Sequence, residues 1–474
     1  MKKNIFLLFA ILTSNIFAQN VESNLPGGLV RASKPVSGVE NAAVYEKTIA
    51  AEGVIKLSLK DAIGIAMQKN KDILISDQDL LKAEAQINEA YGNAYPQLSF
   101  SANYSRNIEL PSLFIAPNTP FNSSPNTVTF SLGANNSYTA GLSLSQVLFS
   151  AKVNTAIKIA KDYRLFTEYN SNAAHEDVAL QVKRAYYGVL LSQNVMEVSQ
   201  QSLELAKANY NNVSQLYKQG MASEFDYLRA EVQVSNTEPV VSQAQSTLIL
   251  AKNGLKNILG IELNRDIELT GSLSLDEIPQ DVIDQEGPLA LQRNSQLQAL
   301  SVQENILEKN IQIQRADYYP TLAAFGQYQY QSQDNTFRFS QYLWAKSFTV
   351  GLSVSYPIFN GMQTKYRTEQ ASIDKDKLVL TRMKLEEGIK IQVEEARLRM
   401  MEARKRIEAQ GKSVEQATKA VSIAEVRFKN GLGTQIELID SQVALTRTQI
   451  NKAQAVYDYL IARSDWERIT GYKK

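Results

Sequence analysis

The sequence predicts a mainly α protein with a small β part, written twice: each half supplies a long helical hairpin and two strands. Three observations carry that expectation. Two long stretches keep a seven-residue apolar spacing with almost no proline or glycine, four short segments alternate apolar with polar residues, and the same motifs recur at near-constant spacing along 474 residues.

The chain opens with Lys2 and Lys3, an apolar run from Ile5 to Ile16, and Phe17-Ala18-Gln19 as a small-residue cleavage point. This order reads as a secretory signal over residues 1–18, too short to span a bilayer. Residues 19–54 follow as an extension expected to be poorly ordered. No later stretch approaches the ~20 apolar residues of a spanning helix. The absence of cysteine excludes a disulfide framework and thiol chemistry in an exported chain. Fifty basic against forty-nine acidic residues leave no field to attract nucleic acid.

Repeats come next, because a missed repeat misreads the whole fold. Tyr217-Lys218-Gln219-Gly220-Met221 through Leu228 recurs as Phe428-Lys429-Asn430-Gly431-Leu432 through Ile439, an offset of 211 residues. Leu142 to Ser145 and Phe149 match Leu352 to Ser355 and Phe359 at 210, while Asn70, Tyr95 and Pro96 match Asn294, Tyr319 and Pro320 at 224. The offset changes by 14 between Pro96 and Leu142, so the first half carries an insertion there, in exposed backbone where insertions survive. The halves are residues 55–284 and 285–474.

Four segments alternate with a period of two: about 97–106, 138–149, 321–331 and 347–359. In Phe348 to Tyr356 every even position is apolar and every odd one small or polar; Leu98, Phe100, Ala102 and Tyr104 alternate with Ser99, Ser101, Asn103 and Ser105. Leu322 to Tyr330 is the weakest, because Phe325 breaks the pattern. Segments of about ten residues like these suit a transmembrane β-barrel and equally an ordinary half-buried sheet.

The rest is helical. From Ser150 to Lys218 there is no proline and one glycine, Gly188, which as one helix extends roughly 100 Å. Val182, Val189, Met196, Leu203, Tyr210 and Tyr217 fall seven apart, as do Val393, Met400, Ile407, Val414, Val421 and Phe428. Their companions Val178, Ala185, Ser192, Ser199, Ala206 and Val213, and Ile389, Ala396, Ala403, Gln410, Ala417 and Ala424, are mostly small. A sustained heptad predicts packed coiled-coil helices, with or without a duct between them. Pro96, Pro320 and Pro357 mark the handovers between helix and strand, and Pro239 predicts a kink in the helix after the first turn. The turns fall at about 219–223 and 430–434.

Four strands do not close a barrel, and an open edge in lipid leaves backbone groups unsatisfied. The strands therefore require other copies of the chain, and long helices hung from a shared barrel continue it as a tube. No catalytic set is visible. His175 lies mid-helix beside Glu176 and Asp177, without a frame for Ser-His-Asp chemistry or further zinc ligands. Gly431-Leu432-Gly433 lacks the lysine of a phosphate loop. No cofactor or metal is expected. Trp344 suits an interfacial anchor.

These residues resemble the TolC family of outer-membrane efflux proteins. The opening Leu57-Ser58-Leu59-Lys60-Asp61-Ala62-Ile63 with Ala66 and Asn70 looks like the family's first helix. The pattern Y-x-x-G-x-x-S-x-x-D-x-L-x-A is met by Tyr217, Gly220, Ser223, Asp226, Leu228 and Ala230, and more loosely by Phe428, Gly431, Thr434, Glu437, Ile439 and Ser441. The resemblance covers residues 55 to 472. It implies a homotrimer in the outer membrane, with a twelve-stranded barrel in lipid and a helical tunnel in the periplasm, fed by an inner-membrane pump through a periplasmic adaptor. By analogy Gly220, Met221, Gly431 and Leu432 contact the adaptor, although both glycines also suit simple left-handed helix caps. Glu437 and Asp440 fall where the family narrows its periplasmic entrance with acidic residues; three apart, they share a helix face. Thr434 to Glu437 also reads as a capping box, as does Ser223 to Asp226. Phe428 stands in place of a gate-latching tyrosine and Gly433 in place of a latching arginine. The rival readings are the exit duct of a type I protein secretion system and a soluble periplasmic coiled-coil scaffold.

Overall fold

A computed structural model of the protein describes residues 54–472; the secretory signal over 1–18 and nearly all of the 19–54 extension lie outside the described residues. The chain opens with β1 (Ile55–Leu57), α1 (Leu59–Lys69) and α2 (Lys71–Gly92). Strands β2 (Gln97–Arg106), β3 (Ser112–Ile115), β4 (Val128–Ser131) and β5 (Asn136–Phe149) precede the first hairpin, α3 (Ala151–Lys218) and α4 (Glu224–Leu259). After β6 (Ile267–Leu269) come α5 (Gln280–Glu286), α6 (Ala290–Arg293), α7 (Ser295–Arg315), β7 (Thr321–Asp334) and β8 (Ala345–Ser355). The second hairpin, α8 (Gln363–Lys429) and α9 (Gln435–Thr470), ends the described chain. Helices α3 and α8 span 68 and 67 residues.

The main sheet is antiparallel in the order β2-β5-β7-β8. Gln97 pairs with Ser145, Leu322 with Phe149 and Thr321 with Ser355, so all four junctions with helices lie at one end of the sheet. Its register sorts the faces. Phe100, Leu142, Tyr328 and Phe348 lie side by side on one face, and Ser99, Ser143, Gln327 and Thr349 on the other. Ser99 and Ser143 hydrogen-bond across strands at 2.7 Å. Phe325 falls on the polar face directly opposite Gly351. A Cβ on Gly351 would stand 2.8 Å from the Phe325 ring, so the missing side chain makes room for the exception in the alternation. Both β5 and β7 run longer than the alternation predicts, while β8 begins two residues earlier and stops at Ser355, before Pro357.

Two strand pairs carry no alternation long enough to read. The inserted segment folds in part as a β3–β4 hairpin with Leu113 opposite Phe130. Short β1 pairs parallel to β6, joining the start of the first repeat to its end. Tyr186, 2% exposed on α3, clamps this pair: its hydroxyl donates to the Leu57 carbonyl and accepts from the Gly271 amide, both at 3.2 Å. Burial raises its pKa above the ordinary tyrosine value, so it remains the neutral donor that this clamp needs.

The repeat explains why Asn70 and Asn294 correspond. Each sits between two helices with an extended backbone, and each side-chain oxygen accepts two amides of the helix that follows. The Asn70 amide also donates to the Ile258 carbonyl at 2.8 Å, tying the end of α4 to the start of α2. At these joints Gly260 and Gly471 both take φ +66°, a left-handed cap that favours glycine. A Cβ on Gly260 would meet the Lys69 carbonyl oxygen at 2.5 Å, and one on Gly471 would meet Arg293 Cβ at 3.2 Å. Thus α4 ends at the joint between α1 and α2, and α9 at the joint between α6 and α7. Each half presents one long helix beside a column of two shorter ones.

Along the helix bodies the heptad positions face inward: Val182, Val189, Leu203, Met400 and Val421 are buried, as are the small companions Ser199, Ala206, Ala396, Ala403 and Ala424, whereas Tyr217 beside the first turn is exposed. Away from the sheet, contacting helices run α4-α3-α9-α8. Helices α3 and α9 are stitched by Lys183–Glu467 and Arg184–Asp465, both at 2.6 Å, and Arg468–Asp177 at 3.0 Å. Arg463, 9% exposed, joins Glu467 at 2.8 Å and Asp276 at 2.5 Å. Its burial opposes the charged form, yet these two carboxylates hold its pKa above the ordinary arginine value. Helix α4 carries Pro239 in its interior without interruption of the helix. No helix among the described residues is long and apolar enough to cross a membrane.

Candidate functional site at the helical turns

The residues predicted to act lie at the two turns farthest along the hairpins from the sheet. Both turns are built alike. The Gly220 amide donates to the Tyr217 carbonyl at 2.9 Å and that of Met221 to Leu216 at 2.8 Å; Gly431 donates to Phe428 at 3.1 Å and Leu432 to Arg427 at 2.8 Å. This pair of bonds is the Schellman arrangement, which requires a left-handed residue at the cap. Gly220 and Gly431 supply it, with φ +75° and +69°. The residue after the cap usually folds back onto its helix. Here Met221 and Leu432 project instead, 65% and 72% exposed.

The following helices start on side-chain caps. Ser223 accepts from the Asp226 amide at 3.1 Å and donates to the Asp226 carboxylate at 2.6 Å. Thr434 accepts from the Glu437 amide at 3.3 Å. The reciprocal half of the predicted capping box, the cap residue's own amide donating to the carboxylate three residues on, is absent at both turns: the Asp226 carboxylate takes the Ser223 hydroxyl instead, and the Glu437 carboxylate stands 3.8 Å from Arg427. Glu437 and Asp440 are both exposed on the first turns of α9. The equivalent positions on α4 are Asp226 and Arg229, and the Arg229 guanidinium lies over the Phe225 ring at 4.7 Å. The two repeats therefore place opposite charges at the Asp440 position. The ion pairs joining the hairpins at Lys183 and Glu467 lie roughly 50 Å up the helices from these turns.

Several side chains here carry no separate motif. Tyr227 stacks on Tyr217 with centroids 5.2 Å apart, and its hydroxyl meets that of Tyr210 at 3.1 Å. That hydrogen bond first, and the nearby Glu231 charge second, push the Tyr227 pKa up to about 12; the stack contributes no charge near neutral pH. Gln435 is 3% exposed, and neither end of its amide has a hydrogen-bond partner among the described residues. Arg427 donates to the Leu432 carbonyl at 3.0 Å. Its only signal in the sequence is a charge where the first copy has Leu216. Gly433 does not stand at positive φ; it is small for space, since a Cβ would lie 3.0 Å from Arg427 Cβ and 3.2 Å from Glu437 Oε2. His175, set aside as a ligand, contacts the Ser171 carbonyl of its own helix at 2.8 Å. No cluster that could hold a metal ion occurs among the described residues.

Known proteins resemble this chain in sequence or in fold. Outer membrane protein TolC of Vibrio cholerae is 22% identical over 332 residues, covering 68% of this chain and 74% of that protein. Alkaline protease secretion protein AprF of Pseudomonas aeruginosa is 21% identical over 341 residues, 71% of this chain and 69% of its own. The crystal structure of the Campylobacter jejuni CmeC outer membrane channel superposes with a TM-score of 0.70 at 16% identity, covering 94% of each chain. The family model described as Outer membrane efflux protein matches residues 62–261 and 287–472, one match in each half, and the chain belongs to that family.

Proposed function

We propose that this protein, an efflux duct of the outer membrane by its family, works as a homotrimer that receives substrates from an inner-membrane pump through a periplasmic adaptor. The observation that carries this reading is that both layers of the protomer stop at matching places. Among the described residues, strands β2 and β8 are free edges, and α4 and α8 are the outer members of the helical row. Exposed Phe225, Leu228 and Val232 on α4 and Leu398, Ile423 and Val426 on α8 are an unfinished packing surface. Closed symmetry completes both layers at once: β8 pairs with β2 of the next copy, and α8 packs on its α4. Three copies make the twelve-stranded barrel. Its apolar face, with Phe100, Leu142 and Phe348, meets lipid, and its Ser, Thr and Gln face lines the bore.

In this assembly Gly220, Met221, Gly431 and Leu432 point away from the membrane toward the adaptor, and Glu437 and Asp440 ring the entrance. Native mass spectrometry of protein extracted from outer membranes in mild detergent should find a trimer. A monomer confined to the soluble periplasm would instead support the coiled-coil scaffold. Threefold rings of carboxylates favour cations, so Asp440→Asn should lower the K⁺/Cl⁻ permeability ratio of the trimer in planar bilayers; an unchanged ratio removes Asp440 from the entrance. The likeness to AprF supports protein cargo as a second reading. A deletion strain that loses a secreted protein but keeps its drug tolerance would favour it.

A further inference from the structure

The two turns share their backbone but not their charges. In the second, Arg427 binds the turn twice. Its carbonyl accepts from the amides of Leu432 at 2.8 Å and Gly433 at 3.1 Å, and its guanidinium donates to the Leu432 carbonyl at 3.0 Å. The same nitrogen stands 3.8 Å from Glu437 Oε2. Gly433 keeps this approach open, because a side chain there would fall between the two. Leu216, the counterpart in the first turn, supplies its carbonyl to the Met221 amide but has no charge to offer.

We propose that Arg427 is a specificity-determining residue of the entrance: it compensates Glu437 within its own hairpin and leaves Asp440 to set the ion preference. This rests on reading the turns as the periplasmic end of the duct. The pair is half-exposed, so it contributes little to stability. Compensation does not depend on that. An ion passing within a Debye length, about 8 Å at physiological salt, meets a short dipole at Arg427 and Glu437 and a net charge at Asp440. The other charges near the turns, Lys218 on α3, Glu224, Asp226, Arg229 and Glu231 on α4, and Glu425 and Lys429 on α8, are unaltered in every variant below.

The test is the reversal potential of the purified trimer in a planar bilayer under a KCl gradient. R427Q should raise the K⁺/Cl⁻ permeability ratio, on the order of twofold, by exposing three Glu437 charges. E437Q should lower the ratio by exposing three Arg427 charges, and R427Q/E437Q should return it close to that of the unmodified trimer. R427K, which keeps the charge, should leave it unchanged. Should R427Q fail to assemble, R427L supplies the residue with which the first turn already forms. The proposal is overturned if R427Q leaves the ratio unchanged while D440N lowers it, or if the double variant falls as far as E437Q alone. A ratio insensitive to all of these variants in a conducting trimer overturns the placement of the entrance itself.

Discussion

Replacing Leu432 with aspartate should abolish export while leaving the trimer intact. Leu432 is 72% exposed and follows a cap whose bonds are made by backbone and by Arg427. A carboxylate at this position removes no core contact and breaks none of those bonds, so the fold tolerates it. A docked partner does not. An apolar tip projecting from a rigid turn fits a pocket, and a carboxylate in that pocket must shed its water without gaining a partner. Central apolar anchors of this kind cost about 2–4 kcal/mol when lost, thirtyfold or more in affinity. The variant strain should therefore match the deletion strain in cargo export, with trimer and channel conductance retained. Export at the normal level would show that nothing docks on Leu432. The equivalent change at Met221 should do less, because that turn lacks the side-chain clamp that Arg427 provides.

The second large effect belongs to the core. Trp466 is completely buried in a cluster with Ala290, Leu297, Ile389, Met400, Tyr459, Leu460 and Ile469, where α9 meets α8 and the segment linking the two halves. Its ring lies 5.5 Å from that of Tyr472. Trp466→Ala should cost about 3–5 kcal/mol, the transfer of the ring plus the cavity left behind. Trp466→Phe should cost far less. It keeps most of the volume and removes an indole N–H that has no hydrogen-bond partner among the described residues, a donor whose burial already carries a penalty. Denaturant unfolding in detergent, followed by circular dichroism, would measure both. Equal losses for Ala and Phe would mean that ring volume is not what this position contributes.

How much was legible from residues alone follows the range of the forces involved. Heptads announce their helices because burial of one stripe is enforced every seven residues, and the buried Val182, Val189, Met400 and Val421 are the residues so marked. Glycine caps are equally local: Gly220 and Gly431 show themselves because few other residues adopt positive φ. The repeat located the insertion and paired Asn70 with Asn294 before either had a known role. Phe325 was visible as an exception, but its reason lies across the sheet at Gly351, a neighbour set by register. The β1–β6 pair, with three residues on each side, is too short for any period to show.

The turns divide the same way. Spacing placed Glu437 and Asp440 together on one helix face, because three residues along a helix return to the same side. It could not distinguish their surroundings. Arg427 precedes Glu437 by ten positions and belongs to another helix, and only the chain reversal through Gly431 and Gly433 brings their side chains within 4 Å. Backbone conformation, helix periodicity and duplication are written residue by residue, whereas charge compensation depends on which side chains the folded turn brings face to face.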